Sequence, residues 1–329
     1  MELTFDFVNA KIRAMRSMLY EADRLRALSQ LRTSGELLAA LFPQRRIAGV
    51  LDFERALVET HVSELLRVWK CLYGRQADFF FWNLVRYQVE DLKVILRGAA
   101  AGEDPKRIRE LLVDLPGPLA LPLDDMIALR ADPAALADRL TGKGVAELLA
   151  QRNFPATEDP FLRETALDAR YLMRLVDEVK TLSQADQDVV QGLVRFEVDL
   201  ANVLAALRAR LNYGLTPEAA SGLYIPAAGR IHREAWLALL ADPSLERAAR
   251  LLGMRPEEVA SLSLLEWLGA RRLYDLACRR FRRSMLDYGA VPAFFHIKRT
   301  ELANLLRLSG TLSYELEART AATGLIGVA

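Results

Sequence analysis

A polar pair set in a leucine-rich segment recurs three times along the chain, and this recurrence most constrains what the chain can fold into. FEVDLANVLAALRAR, from Phe196, places Asp199 and Asn202 three residues apart before an apolar run. YQVEDLKVILR places Gln88 and Asp91 in the same way, and KRTELANLLRL places Glu301 and Asn304. From Asp91 to Asn202 is 111 residues, and from Asn202 to Asn304 is 102. The segment ahead of the motif keeps the same offset: Leu57, Leu167 and Leu268 are 110 and 101 apart, as are Leu65, Leu175 and Leu276. A near-constant period of this length marks a repeated unit whose copies bury their apolar faces against one another. The reading is three blocks, 1–118, 119–229 and 230–329, each a long helix, a turn and a second long helix.

The local signals agree on an all-α fold. Phe7, Ile12, Met15 and Leu19 recur at helical spacing, and no segment alternates as a half-buried strand does. Asp104-Pro105, Asp132-Pro133, Asp159-Pro160 and Thr216-Pro217 read as capped helix starts, because proline in a first turn forfeits no helical hydrogen bond. Long helices are expected over about 53–72, 77–97, 160–182, 186–213, 263–288 and 292–309, with a short C-terminal helix after them. With a turn of about 100° per residue, Gln88, Asp199 and Glu301 fall inside the apolar arc of their helices. Asp91, Asn202 and Asn304 fall at its edge. An unsatisfied buried polar group costs about 1–3 kcal/mol, so these six residues need partners. They are expected to cross-link neighbouring helices and fix how each helix pair meets.

Several function classes drop away. The net charge is +1, which gives no field for nucleic acid or an anionic membrane surface. No stretch approaches the roughly 18 apolar residues of a membrane span, and the lone Cys71 and Cys278 suit a reducing compartment, so a soluble, cytoplasmic chain is expected. Around Gly142-Lys143-Gly144 a phosphate-binding loop would need glycine where Ala137 stands and a hydroxyl where Gly144 stands. His61, His232 and His296 are scattered. No metal, cofactor or catalytic cluster is implied. Two clusters suit a partner surface: Phe80 and Trp82 in the run Phe79-Phe80-Phe81-Trp82, and Arg271, Arg272, Arg279, Arg282 and Arg283 on one helix, which would attract an acidic partner.

The three motif helices, Gly214-Leu215-Thr216-Pro217-Glu218, and the opening Phe7-Val8-Asn9-Ala10-Lys11-Ile12-Arg13 carry a family resemblance. The helix before the second motif adds Ala166-Leu167-Asp168 and Tyr171; Ala56-Leu57-Val58-Glu59 and Leu268-Gly269-Ala270-Arg271 are poorer versions. The chain resembles the C-type subunits of archaeal and bacterial V-type ATPases, the counterparts of the eukaryotic d-type subunits. It departs from that pattern at Gln88 and Asp91, which replace an acid and an amide, and in its arginine-rich third block. The resemblance implies a pseudo-threefold, all-α funnel without an active site. Such a protein sits on the membrane proteolipid ring, takes the tip of the rotor shaft into its cavity and passes torque between them. A free-standing helical-repeat adaptor is the alternative reading, and an all-α enzyme a more distant one.

Overall fold

The computed structural model describes residues 5–149, 159–226, 229–313 and 324–328. Among these residues the regular structure is helical, with no strand. An N-terminal helix, α1 (Asp6–Ser17), precedes three long pairs. These are α2 (Val50–Trp69) with α3 (Gly74–Ala100), α4 (Pro160–Thr181) with α5 (Gln184–Leu207), and α6 (Leu262–Arg283) with α7 (Ala290–Ser313). Shorter helices fill the connections.

Local chemistry sets the ends. Asp159 caps α4 by accepting from the Phe161 and Leu162 amides, with Pro160 in the first turn. Ser183 caps α5 and Ser261 caps α6, each accepting from the amide three residues on. Between α2 and α3 the turn closes on Gly74 at φ 53°, in the left-handed region that only glycine enters cheaply.

Several helix ends differ from the sequence expectation; α6, expected to run to about 288, stops at Arg283. The α5 helix stops at Leu207 and continues as one wider π turn over Arg208–Asn212. The Arg210 side chain in that turn donates to the carbonyls of Leu240, at 2.9 Å, and Leu215, and the backbone closes one residue later than an α turn, the Tyr213 amide donating to the Arg208 carbonyl at 3.1 Å. The α7 helix begins at Ala290, ahead of Pro292, because a proline in the third helical position still needs no intrahelical donor. The expected C-terminal helix falls outside the described residues.

The long helices pack in a cyclic order. Besides meeting its own partner, α4 packs along α3, α6 along α5 and α2 along α7. The first helix of each pair thus lies against the second helix of the preceding pair, and the first pair meets the last. Phe80 of α3 meets Phe295 of α7 edge-on at 6.2 Å, and both rings are fully buried. The α1 helix ties the two ends of the chain together. Asn9 Nδ2 donates to the Met285 and Asp287 carbonyls, and Arg13 to those of Phe281 and Ser284.

Candidate functional site

The three motif helices each hold the chain segment that follows them. Asn202 on α5 donates from Nδ2 to the Ile225 carbonyl at 3.1 Å and accepts from the Ile225 amide at 2.8 Å. Asn304 on α7 does the same with Ile326, at 2.7 and 3.0 Å. Asp91 on α3 makes half of this pair, accepting from the Val113 amide at 3.2 Å; its Oδ2 has no partner among the described residues. Burial pushes the Asp91 carboxyl up to about 7, reinforced by Asp114 and Glu90 and opposed by the Val113 amide and Arg109.

The residues three places earlier grip further along. Gln88 donates to the Leu119 carbonyl at 2.9 Å, 31 residues on. Asp199 accepts from the Arg230 and Ile231 amides, both at 3.0 Å. Glu301 accepts from the Tyr20 amide, at 2.8 Å, while Lys298 bridges it to Glu64. All six polar residues therefore bind backbone of segments outside the long helices, and only Glu301 is also bridged, through Lys298, to a neighbouring long helix. The reason is general: helix backbones satisfy their own donors and acceptors, whereas segments between helices arrive with unpaired groups that burial cannot leave bare.

An ionic node lies two residues N-terminal to Gln88 and to Asp199, and at the matching place before Glu301. Arg86 of α3 and Arg299 of α7 both donate to Oε1 of Glu197 on α5, each at 2.6 Å. The sequence separations are 111 and 102 residues, so these are equivalent positions of the three motif helices. Burial alone would raise the Glu197 carboxyl, but Arg86 and Arg299 hold it well below the usual carboxylate range. Burial opposes the charge on Arg86 as well, and Glu197 more than restores it. The Arg86 guanidinium also lies over the Tyr171 ring, 4.8 Å from its centre, and burial pushes that phenol up to about 12. Beside the node, burial and the two guanidiniums outweigh Glu197 and bring His296 down to about 3, which keeps the imidazole neutral. His61 is also held neutral by burial, with Nε2 against the Tyr87 hydroxyl at 2.5 Å.

A cavity of about 390 Å³ opens at this node, lined from α3 by Arg86 and Lys93, from α4 by Asp168, from α5 by Glu197, from the π turn by Arg208, and from α7 by Arg299. All three helix pairs contribute to it, with Glu266 and Ala270 of α6 completing the wall. Among the described residues no group of three His, Cys, Asp or Glu side chains is placed to hold a metal ion. Nor is any helix among the described residues long and apolar enough to cross a membrane.

The two interface clusters separate. Phe80 and Trp82 are buried, Phe80 against Phe295 and Trp82 beneath the Arg174 guanidinium at 4.8 Å. They offer no face to a partner protein, because both side chains are spent on joining α3 to α7 and α4. Arg271, Arg279, Arg282 and Arg283 are exposed on α6, with Arg271 over the Trp267 ring. Arg272 is half-buried, donating to the Gly253 carbonyl at 2.5 Å. The node itself escaped sequence reasoning. The signal was present, since Arg86, Glu197 and Arg299 keep the motif period, but unlike residues at equivalent positions do not look like a repeat.

The family model described as ATP synthase (C/AC39) subunit matches residues 8–318 of the chain. No curated protein matches it.

Proposed function

Since the chain belongs to the family of ATP synthase (C/AC39) subunits, and so is a V/A-type ATPase component, we propose that it is the non-catalytic socket of the central stalk. In this role it seats the tip of the rotor shaft and couples it to the membrane proteolipid ring, on the cytoplasmic face and peripheral to the membrane. The three blocks 1–118, 119–229 and 230–329 are its structural units, arranged about a pseudo-threefold axis as a funnel.

The observation that carries this reading is the convergence of Arg86, Glu197 and Arg299 on one point. Three residues at equivalent places in a repeat can meet only if their helices approach a common centre. The cyclic packing of α4 on α3, α6 on α5 and α2 on α7 supports the same arrangement. So does Glu301, which grips Tyr20 near the start of the chain where Gln88 and Asp199 grip the joints at Leu119 and Arg230. A part that transmits torque must resist relative motion of its blocks. Buried charge-assisted bonds between blocks do this better than apolar contact alone, because they are directional. The cavity at the node, walled by all three helix pairs, is where the shaft tip would enter.

The experiment is affinity purification of the tagged full chain from its native membranes. The expected result is recovery of the rotor-shaft proteins and the proteolipid ring in stoichiometric amounts. Recovery of the chain alone, or only with proteins outside the ATPase, would favour the free-standing adaptor.

A further inference from the structure

The three places where one block's first long helix lies on the preceding block's second are not covered alike. At the α3–α4 junction the segment 143–149 closes the surface. A Cβ on Gly144 would lie 2.9 Å from Val85, Leu148 is buried, and its carbonyl accepts from Arg170 at 2.6 Å. At the α7–α2 junction α1 is the cover, packing on both helices with Ile12 fully buried, and Met15 lines a hollow of about 380 Å³ shared with Leu57 and Leu305. Leu65 of α2 and Leu175 of α4 are accordingly fully buried.

At the α5–α6 junction the helix Leu245–Leu251, with Leu252 and Gly253 after it, covers only part of the surface. Leu276, equivalent to Leu65 and Leu175, is only half-buried. Two hollows of about 420 and 120 Å³ run together there, sharing Gly192 and Leu276 in their walls. Phe196, Leu251 and Leu193 give the groove an apolar floor. Its rim is basic: Arg195, Arg230, Arg272, Arg279, Arg280 and Arg283. Apart from Arg272, none of these six side chains has an acid, carbonyl or ring partner among the described residues. The one acid in the lining, Asp199, already accepts two backbone amides. From Arg272 to Arg283 along the helix is about 17 Å at roughly 1.5 Å per residue, too long for a single anionic group and matched to about three turns of helix.

We propose that the groove between α5 and α6 is a docking site for an acidic amphipathic helix of a partner protein. Its apolar side would fill the part of the groove that the segment 245–253 leaves open, and its carboxylates would meet the arginine rim. The equivalence of the three junctions rests on the three-block reading above. The charge and the open floor do not.

The test uses the full chain and a fluorescein-labelled synthetic peptide of about 14 residues, long enough to span the groove. The peptide carries Leu at i, i+3, i+4 and i+7 and Glu elsewhere; a scrambled peptide of the same composition is the control. The ordered peptide is expected to bind and the scrambled one to bind at least about tenfold more weakly. Arg279→Glu with Arg283→Glu should weaken binding by at least about tenfold, and added salt should weaken it too. Arg282→Glu, on the same helix but off the groove, should leave binding unchanged. Equal loss with Arg282→Glu, or equal binding of both peptides, would overturn the proposal by showing general charge attraction. So would absence of peptide binding alongside binding of phosphatidylserine vesicles through the same arginines. The block reading fails separately, if Glu197→Gln leaves the melting of the chain unchanged.

Discussion

Arg86 of α3 and Arg299 of α7 donate to the same carboxylate oxygen of Glu197, each at 2.6 Å. Three like charges could not occupy equivalent positions around one point without strong repulsion in a buried site. Two arginines and one glutamate resolve this, and the neutral His296 adds no further positive charge. The node is the only place in the described residues where the three motif helices share one set of bonds, so it is where a loss should be felt by all three.

Glu197→Gln is expected to destabilise the chain by roughly 3–5 kcal/mol, because it leaves two buried guanidiniums without their counter-charge. Denaturant unfolding reads this directly. Replacing all three together with Met, Leu and Met should recover most of the loss, since an apolar trio leaves no unpaired charge. Because the arginines hold the Glu197 carboxyl below its unfolded value, its contribution is present above the ordinary carboxylate range and is lost as pH falls through the folded value. The penalty of the glutamine variant should thus be flat from neutral pH down to mildly acidic pH and shrink only in strong acid. Unchanged unfolding of Glu197→Gln at pH 7 would rule out a structural role for the node.

Asn202→Leu removes both bonds to Ile225 and should cost roughly 1–3 kcal/mol per stranded backbone group. Hydrogen exchange supplies the local readout: the Ile225 amide should exchange faster while amides in the middle of α3 do not. Equal protection at Ile225 in both proteins would contradict the clip.

Asp91→Asn should stabilise the chain, and more so as pH rises. The folded-state carboxyl is raised to about 7 by burial, above its unfolded value, so its favourable contribution is complete in acid and lost as pH rises through 7. An amide at this position also restores the donor that Asn202 and Asn304 use. The gap in melting temperature between wild type and variant should widen from about pH 4 to about pH 7 and hold steady above it. A constant difference across that range would show that Asp91 does not titrate there.

Gly229→Ala should be destabilising by about 1–3 kcal/mol. A methyl group there would collide with Asp199 Oδ1, which is held in place by the Ile231 amide. Gly192→Ala, in open space on a helix, should instead be stabilising by roughly 0.5–1 kcal/mol. Thermal unfolding of the two variants side by side checks the contrast in sign.

Much of the helical fold was legible because its signals are local. Proline after aspartate marks helix starts, apolar spacing marks faces, and a fixed period marks equivalent positions such as Asp91, Asn202 and Asn304. What those residues bind was not legible. Their partners lie in connecting segments at Val113, Ile225 and Ile326, whose own sequences carry no motif, and the unpaired backbone groups that attract them exist only once the chain is folded. The aromatic run at Phe80 was legible as apolar but not as internal, since its burial depends on Phe295 arriving from the far end of the chain. Arg86, Glu197 and Arg299 were hidden because complementarity at a shared centre needs unlike residues, while a search for repeats looks for like ones. The basic groove needed Arg195 and Arg230 brought beside Arg279, which no spacing along α6 alone could show.

The most direct measurement is proton or sodium transport by the reconstituted ATPase, followed together with ATP hydrolysis, with and without this chain. The proposed socket predicts that complexes lacking the chain still hydrolyse ATP in the catalytic head but move no ions, and that adding it back restores transport. Ion transport that persists at full rate without the chain would contradict that role.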